Sequence, residues 1–131
     1  MDAFAAQPAL STDVLNSLRG LATEDDPTFV AELLTIYLAN LDERIKGVAQ
    51  GIQQSDPARF AASAHSLKSS SASIGALALA ELCKDLESLG REGRLEGARE
   101  IFEKLEIEGR RVEREILTMP EVGAFQSSKA A

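Results

Sequence analysis

Apolar positions along this chain recur at intervals of three and four. Strict alternation of apolar and polar residues is never sustained, so the pattern predicts helices and no strand. Ser11 or Asp13 suits the start of a short first helix that ends near Gly20. Asp25-Asp26-Pro27 reads as a second start, with proline in the first turn. From there Val30, Leu34, Tyr37, Leu41, Ile45, Val48 and Ile52 keep helical spacing to about Gln54. Such a helix is roughly 40 Å long at about 1.5 Å per residue. Ser55-Asp56-Pro57 repeats the pattern of cap followed by proline, and Phe60, Ala64, Leu67, Ser71 and Ile74 then share one stripe up to a stop at Gly75. A fourth helix takes Leu79, Leu82, Cys83, Leu86 and Leu89 and ends around Gly90 to Gly93. A fifth takes Ala98, Phe102, Leu105, Val112 and Ile116, and Pro120 closes it.

Four long amphipathic helices with short connections predict an all-α fold. The expected architecture is an up-down-up-down antiparallel four-helix bundle, with the short N-terminal helix lying across one end. Residues 1–10 are expected to be a flexible N-terminus, 11–118 the bundle and 119–131 a flexible, frayed tail.

Composition narrows the functional classes. A chain of 131 residues with 44% apolar and 27% charged residues suits one globular domain. Its formal charge of −7 repels nucleic-acid phosphates and anionic lipid, which excludes both as main partners and leaves proteins. No stretch approaches the roughly 20 apolar residues of a membrane span. The first ten residues lack a basic region before an apolar run, so no signal peptide is read there and the domain is expected in the cytosol. The single cysteine, Cys83, allows no internal disulfide; between Leu79 and Leu86 it reads as a core residue. One histidine and one cysteine cannot supply the roughly four ligands of a zinc site, and the acidic residues show no clustered ligand spacing. No metal or cofactor of the chain's own is expected.

The lone histidine, His65, is the candidate for chemistry near neutral pH. At about 100° per residue, Ala64, Leu67, Ser71 and Ile74 fall within about 40° of Phe60, whereas His65 falls near 140° and Lys68 near 80°. His65 is therefore expected off the core, close to solvent. Around it stand Ala61, Ala62, Ser69 and Ala72, all small, where a solvent face would usually carry long polar side chains. A low surface lets a partner bring an active site to the imidazole. Lys68, three residues on, is within reach of a phosphoryl group on the outer ring nitrogen, where it would offset a charge of roughly −1.5 to −2.

The run from Ala64 to Ala76 resembles the signature of histidine-containing phosphotransfer (HPt) domains: His-x-Leu-Lys-Gly, with a further glycine ten residues after the histidine, here Gly75. Residues 79 to 87 resemble the family's next helix, and the helix layout matches over about residues 11 to 118. The resemblance implies a phosphorelay intermediate that accepts a phosphoryl group on His65 from a receiver-domain aspartate, or from a sensor histidine kinase, and passes it to another receiver aspartate. It implies a carrier rather than an enzyme, with Mg²⁺ and the acidic pocket supplied by the response-regulator receiver. It also implies that Glu87 orients the inner ring nitrogen, that Arg91 assists the phosphate, and that Ala61, Ala62, Ser69, Ala72 and Gly75 face the partner. Ser69 departs from the family's usual glycine, which puts the docking distance in doubt.

The competing reading is an HPt-like module that docks a receiver or other regulator with His65 idle. A kinase core finds no support: there is no recognised Gly-rich nucleotide loop, and the proline often found just after a kinase histidine is missing. No dimerisation signal is read, so a monomer is expected. The domain suits a free-standing protein or the cytosolic C-terminal module of a membrane sensor kinase.

Overall fold

A computed structural model describes residues 7–130, with side chains through residue 128. The first six residues of the expected N-terminal tail, and Ala131, lie outside the described residues. Six helices follow in order: α1 Thr12–Arg19, α2 Phe29–Gln53, α3 Pro57–Ser73, α4 Leu77–Arg91, α5 Ala98–Leu117 and α6 Pro120–Ala130. No strand occurs among the described residues; one isolated bridge joins Thr23 and Asp26. None of the helices is long and apolar enough to cross a membrane.

Local chemistry sets most of the boundaries. The Ser11 hydroxyl accepts from the Val14 amide at the start of α1, and the Asp56 carboxylate accepts from the Arg59 amide at the start of α3, with Pro57 in the first turn. Helix α2 departs from expectation. It begins at Phe29, after Pro27, and Thr28 gives no side-chain cap. The Asp26 amide is held instead by the carbonyl and hydroxyl of Thr23, each at 3.1 Å, so residues 23–26 close a turn that competes with an earlier helix start.

Helices α2 to α5 pack in a ring, each against its sequence neighbours, with α5 closing against α2. The stripes read from the sequence meet in the centre. Leu34, Leu41, Phe60, Leu67, Ile74, Leu79, Leu86, Leu105 and Ile116 are all fully buried, and Ala64 and Ser71 of the α3 stripe are buried with them. Ser71 finds its partner inside the core: its hydroxyl and that of Tyr37 lie 2.8 Å apart, which ties α3 to α2. Burial pushes the Tyr37 phenol up to about 12.

Residues 9–10 and helix α6 depart from the expected loose tails. Ala9 and Leu10 are buried, and their amides donate to the Glu115 carboxylate on α5 at 2.5 and 3.2 Å. Pro120 does end α5, but it also opens α6, where proline suits the first turn. Helix α6 packs on α2 and α5, buries Val122 completely, and is tied to α1 by a 2.5 Å ion pair between Glu121 and Arg19. Its sequence carries no apolar stripe: Val122 is the only buried side chain among those described.

Candidate functional site

His65 sits in the middle of α3, on the side away from Phe60 and Leu67, and its side chain is 54% exposed. Opposite it, α4 presents Glu87. The core stripe of α4 runs through Leu79, Cys83 and Leu86, and Glu87 lies one position past Leu86, at the border of the buried face. Its side chain is only 5% exposed, so it is not the solvated helix residue its type alone would suggest.

Three groups converge on that carboxylate. Glu87 Oε2 lies 2.6 Å from His65 Nδ1 and 2.6 Å from the Arg91 guanidinium, and Oε1 accepts from Lys68 Nζ at 2.5 Å. The Lys68 ammonium, assisted by the His65 ring and the Arg91 charge, holds the Glu87 carboxyl below its ordinary value. An ionised carboxylate can only accept, so the inner ring nitrogen must carry the proton. In the neutral imidazole the outer nitrogen, Nε2, then keeps its lone pair. Lys68 therefore rests on Glu87 rather than reaching toward the outer nitrogen. A turn along the helix from Glu87, Arg91 is 68% exposed and open to solvent on its far side.

The close approach of α3 and α4 depends on Gly90. A methyl group there would stand 2.5 Å from Ala61 Cβ and 2.5 Å from the Pro57 carbonyl oxygen. Sequence reasoning placed the end of α4 around Gly90 to Gly93, and the helix ends at Arg91, but the packing role of Gly90 was not read. Its only signal was a glycine three residues beyond Glu87 in an otherwise helical stretch. Beside this contact a hollow of about 590 Å³ opens between His65 and Arg91, lined otherwise by Ala58, Ala61, Ala62, Ser66 and Gly90.

The residues expected to face a partner divide. Ala62, Ser69 and Ala72 are exposed on the same helix as His65. Ala61 is 6% exposed and forms the floor of the hollow under Gly90. Gly75 is not on that face. It is buried in the α3–α4 turn at φ +88°, its carbonyl accepts from the Ser11 amide at 2.8 Å, and a side chain there would meet Ser11 and Val14. Its glycine serves the left-handed turn and the packing of the N-terminal segment. Cys83 is buried, and burial, with the Glu87 charge adding, pushes its thiol up to about 12, which suits a core residue and not a nucleophile. Among the described residues no cluster of three or more His, Cys, Asp or Glu side chains is placed to hold a metal ion.

Comparison with known proteins identifies the family of the chain. The chain is 27% identical over 105 residues to histidine-containing phosphotransfer protein 2 of Arabidopsis thaliana, covering 78% of this chain and 67% of that protein. Its structure is similar to that of histidine-containing phosphotransfer protein B from Pseudomonas aeruginosa PAO1, with a TM-score of 0.75 and 32% identity over 83% of this chain and 91% of the other. The Hpt domain family model matches residues 32–116, a span that contains His65, Lys68, Glu87 and Arg91. The chain belongs to the Hpt domain family.

Proposed function

We propose that this protein is a phosphorelay intermediate whose Nε2 of His65 carries the phosphoryl group between receiver aspartates, or receives it from a sensor kinase. The observation that carries the reading is the 2.6 Å bond between His65 Nδ1 and Glu87, which in the neutral ring puts the proton on the inner nitrogen and the lone pair on the outer one. The Nε2 lone pair attacks phosphorus, the bond from phosphorus to the aspartyl oxygen breaks, and the aspartate leaves as a carboxylate. The ring gains positive charge as the new bond forms, and the Glu87 carboxylate beside the inner N–H offsets it. Lys68 and Arg91, both bonded to the carboxylate that holds the ring, offset the charge that arrives with the phosphoryl group. Counted with a neutral imidazole, Glu87 as −1 and the two cations as +2, the resting site is +1.

The protein acts as a carrier and not as an enzyme. Mg²⁺ and the groups that stabilise the transferring phosphoryl come from the receiver, on whose side the aspartate lies. The cytosol, where receivers are found, is the proposed location.

The test uses receiver domains loaded with labelled phosphate. Acid-labile label is expected on the wild-type chain and none on His65→Gln, the chain having a single histidine. Label that persists in His65→Gln moves the site elsewhere. No label on wild type from any receiver of the same organism reduces the protein to a docking module.

A further inference from the structure

His65 is flanked by helix α4 on one side; the other side faces α2, and there the surface changes character. A hollow of about 570 Å³ lies between α2 and α3, lined by Arg44, Lys46 and Arg59 together with Ser63 and Ser66, the neighbour of His65. Glu43 is the one carboxylate in the lining. Three of the chain's 14 basic residues thus meet in one hollow of a protein with net charge −7.

Elsewhere the cations near acidic groups are spent on them: Arg19 on Glu121, Lys68 and Arg91 on Glu87, Arg110 on Asp42, and Arg111 on Glu108. In the hollow no such pairing is made. Arg59 is held by two neutral amides, Gln54 at 2.6 Å and Gln50 at 2.7 Å, which fix its direction and leave its charge intact. Arg44 and Lys46 form no ion pair among the described residues. The geometry of α2 and α3 keeps the floor low, because the lining between the cations is Gly47 and serine.

We propose that this hollow is the docking site for an acidic segment of the receiver that exchanges phosphate with His65. The proposal rests on the carrier reading above and adds to it the surface that recognises the partner. Charge complementarity selects the occupant. An acidic segment gains from three cations that make no ion pair among the described residues and outnumber the one carboxylate of the lining, Glu43, whereas the remainder of the surface, negative in sum, repels it. Ser66 makes the hollow continuous with the site, so a segment seated there fixes the receiver's position relative to the imidazole without touching it. Arg44, Lys46 and Arg59 are accordingly positioning residues, not catalytic ones.

The experiment compares two triple variants of equal charge. Arg44→Gln/Lys46→Gln/Arg59→Gln removes the hollow's cations. Arg99→Gln/Lys104→Gln/Arg114→Gln removes three from α5. For each, kcat/KM of phosphotransfer is measured with the receiver that labels wild type fastest, at low and at high salt. In parallel, His65 is phosphorylated with phosphoramidate, a small donor that needs no docking surface. The hollow variant is expected to lose about tenfold in kcat/KM at low salt, mostly through KM, with the loss shrinking at high salt and phosphoramidate labelling unchanged. The α5 variant should stay within about twofold of wild type, because charges outside the interface act only through the screened net field. Equal losses in the two variants would reduce the effect to net charge and overturn the proposal, as would wild-type kinetics in the hollow variant. If free inorganic phosphate competes for the hollow as well as the receiver does, the site is a simple anion site and the proposal also fails. Absence of phosphoramidate labelling in wild type would instead overturn the carrier reading itself.

Discussion

Gly90→Ala separates the geometry of the site from the stability of the fold. The added methyl carbon would lie 2.5 Å from Ala61 Cβ and 2.5 Å from the Pro57 carbonyl oxygen, the latter being backbone that cannot rotate aside. Ordinary carbon contact is about 3.5–4.0 Å, so α3 and α4 must part by about 1 Å. Overpacking of this kind costs about 1–3 kcal/mol. Replacing glycine inside a helix returns about 1 kcal/mol. The net loss of stability is therefore about 0–2 kcal/mol, and the bundle should remain folded. The site is less tolerant. His65 Nδ1 and Glu87 Oε2 are 2.6 Å apart, and an added separation of about 1 Å leaves no hydrogen bond. A hydrogen bond to a charged acceptor contributes about 1.5–3 kcal/mol. The ring is 54% exposed and water competes for it, so the lower value applies and transfer should slow about tenfold. Long-range ¹H–¹⁵N correlation spectra of the single histidine report where the proton sits, urea unfolding reports stability, and receiver assays report the rate. A variant that loses stability yet keeps the Nδ1–H tautomer and the wild-type rate would refute the reasoning that Gly90 sets the distance between His65 and Glu87.

The other predictions concern the groups gathered at Glu87. Glu87→Gln retains an acceptor for the inner N–H but no charge, and charged acceptors bind about twice as strongly; transfer should fall a few-fold, and roughly tenfold in Glu87→Ala, in rate assays run side by side. Lys68→Ala should leave the urea midpoint nearly unchanged, because its side chain is only partly buried. It should shorten the phosphohistidine lifetime by about two- to fivefold, the worth of a charge pair at a partly exposed ammonium; an unaltered lifetime removes Lys68 from the mechanism. The pH dependence follows from the lowered Glu87 carboxyl. A group depressed in the folded state stabilises above its unfolded value, about 4.5 for glutamate, and that contribution is lost as pH falls through the folded value. Wild type should therefore exceed Glu87→Gln in unfolding free energy at pH 7, and the gap should narrow below about pH 4.5. A gap that stays constant to pH 3 contradicts the assignment.

The parts of this molecule that were legible in the sequence are those governed by period and by local caps. The α3 stripe of Phe60, Ala64, Leu67, Ser71 and Ile74 is buried as its spacing demands, and His65, rotated off that stripe, is exposed. Asp56-Pro57 starts α3 because both of its signals act within one turn. The misreadings share a different cause. Asp25-Asp26-Pro27 looks like a helix start, but Thr23 claims the Asp26 amide first. Helix α6 escaped notice because it is held by one buried side chain, Val122, by packing on α2 and α5, and by the ion pair to Arg19, about a hundred positions away, none of which leaves a stripe in its own sequence. Gly75 stops α3 in a left-handed turn and α4 ends within Gly90 to Gly93, both as the sequence suggested; what the local pattern did not show is that Gly75 also packs against α1 and that Gly90 lets α4 approach α3. The burial of Glu87 likewise depends on the register of α4 against α3, which periodicity alone does not fix; only the family resemblance pointed to it.

The central claim is that the outer nitrogen of His65 is the nucleophile because Glu87 keeps the proton on the inner one. Phosphoramidate-treated, ¹⁵N-labelled protein tests it directly, since one histidine gives one set of ring signals. Phosphorus should couple to Nε2 alone, in a spectrum that vanishes with His65→Gln. Coupling to Nδ1, or phosphate found on any other residue, would contradict the account.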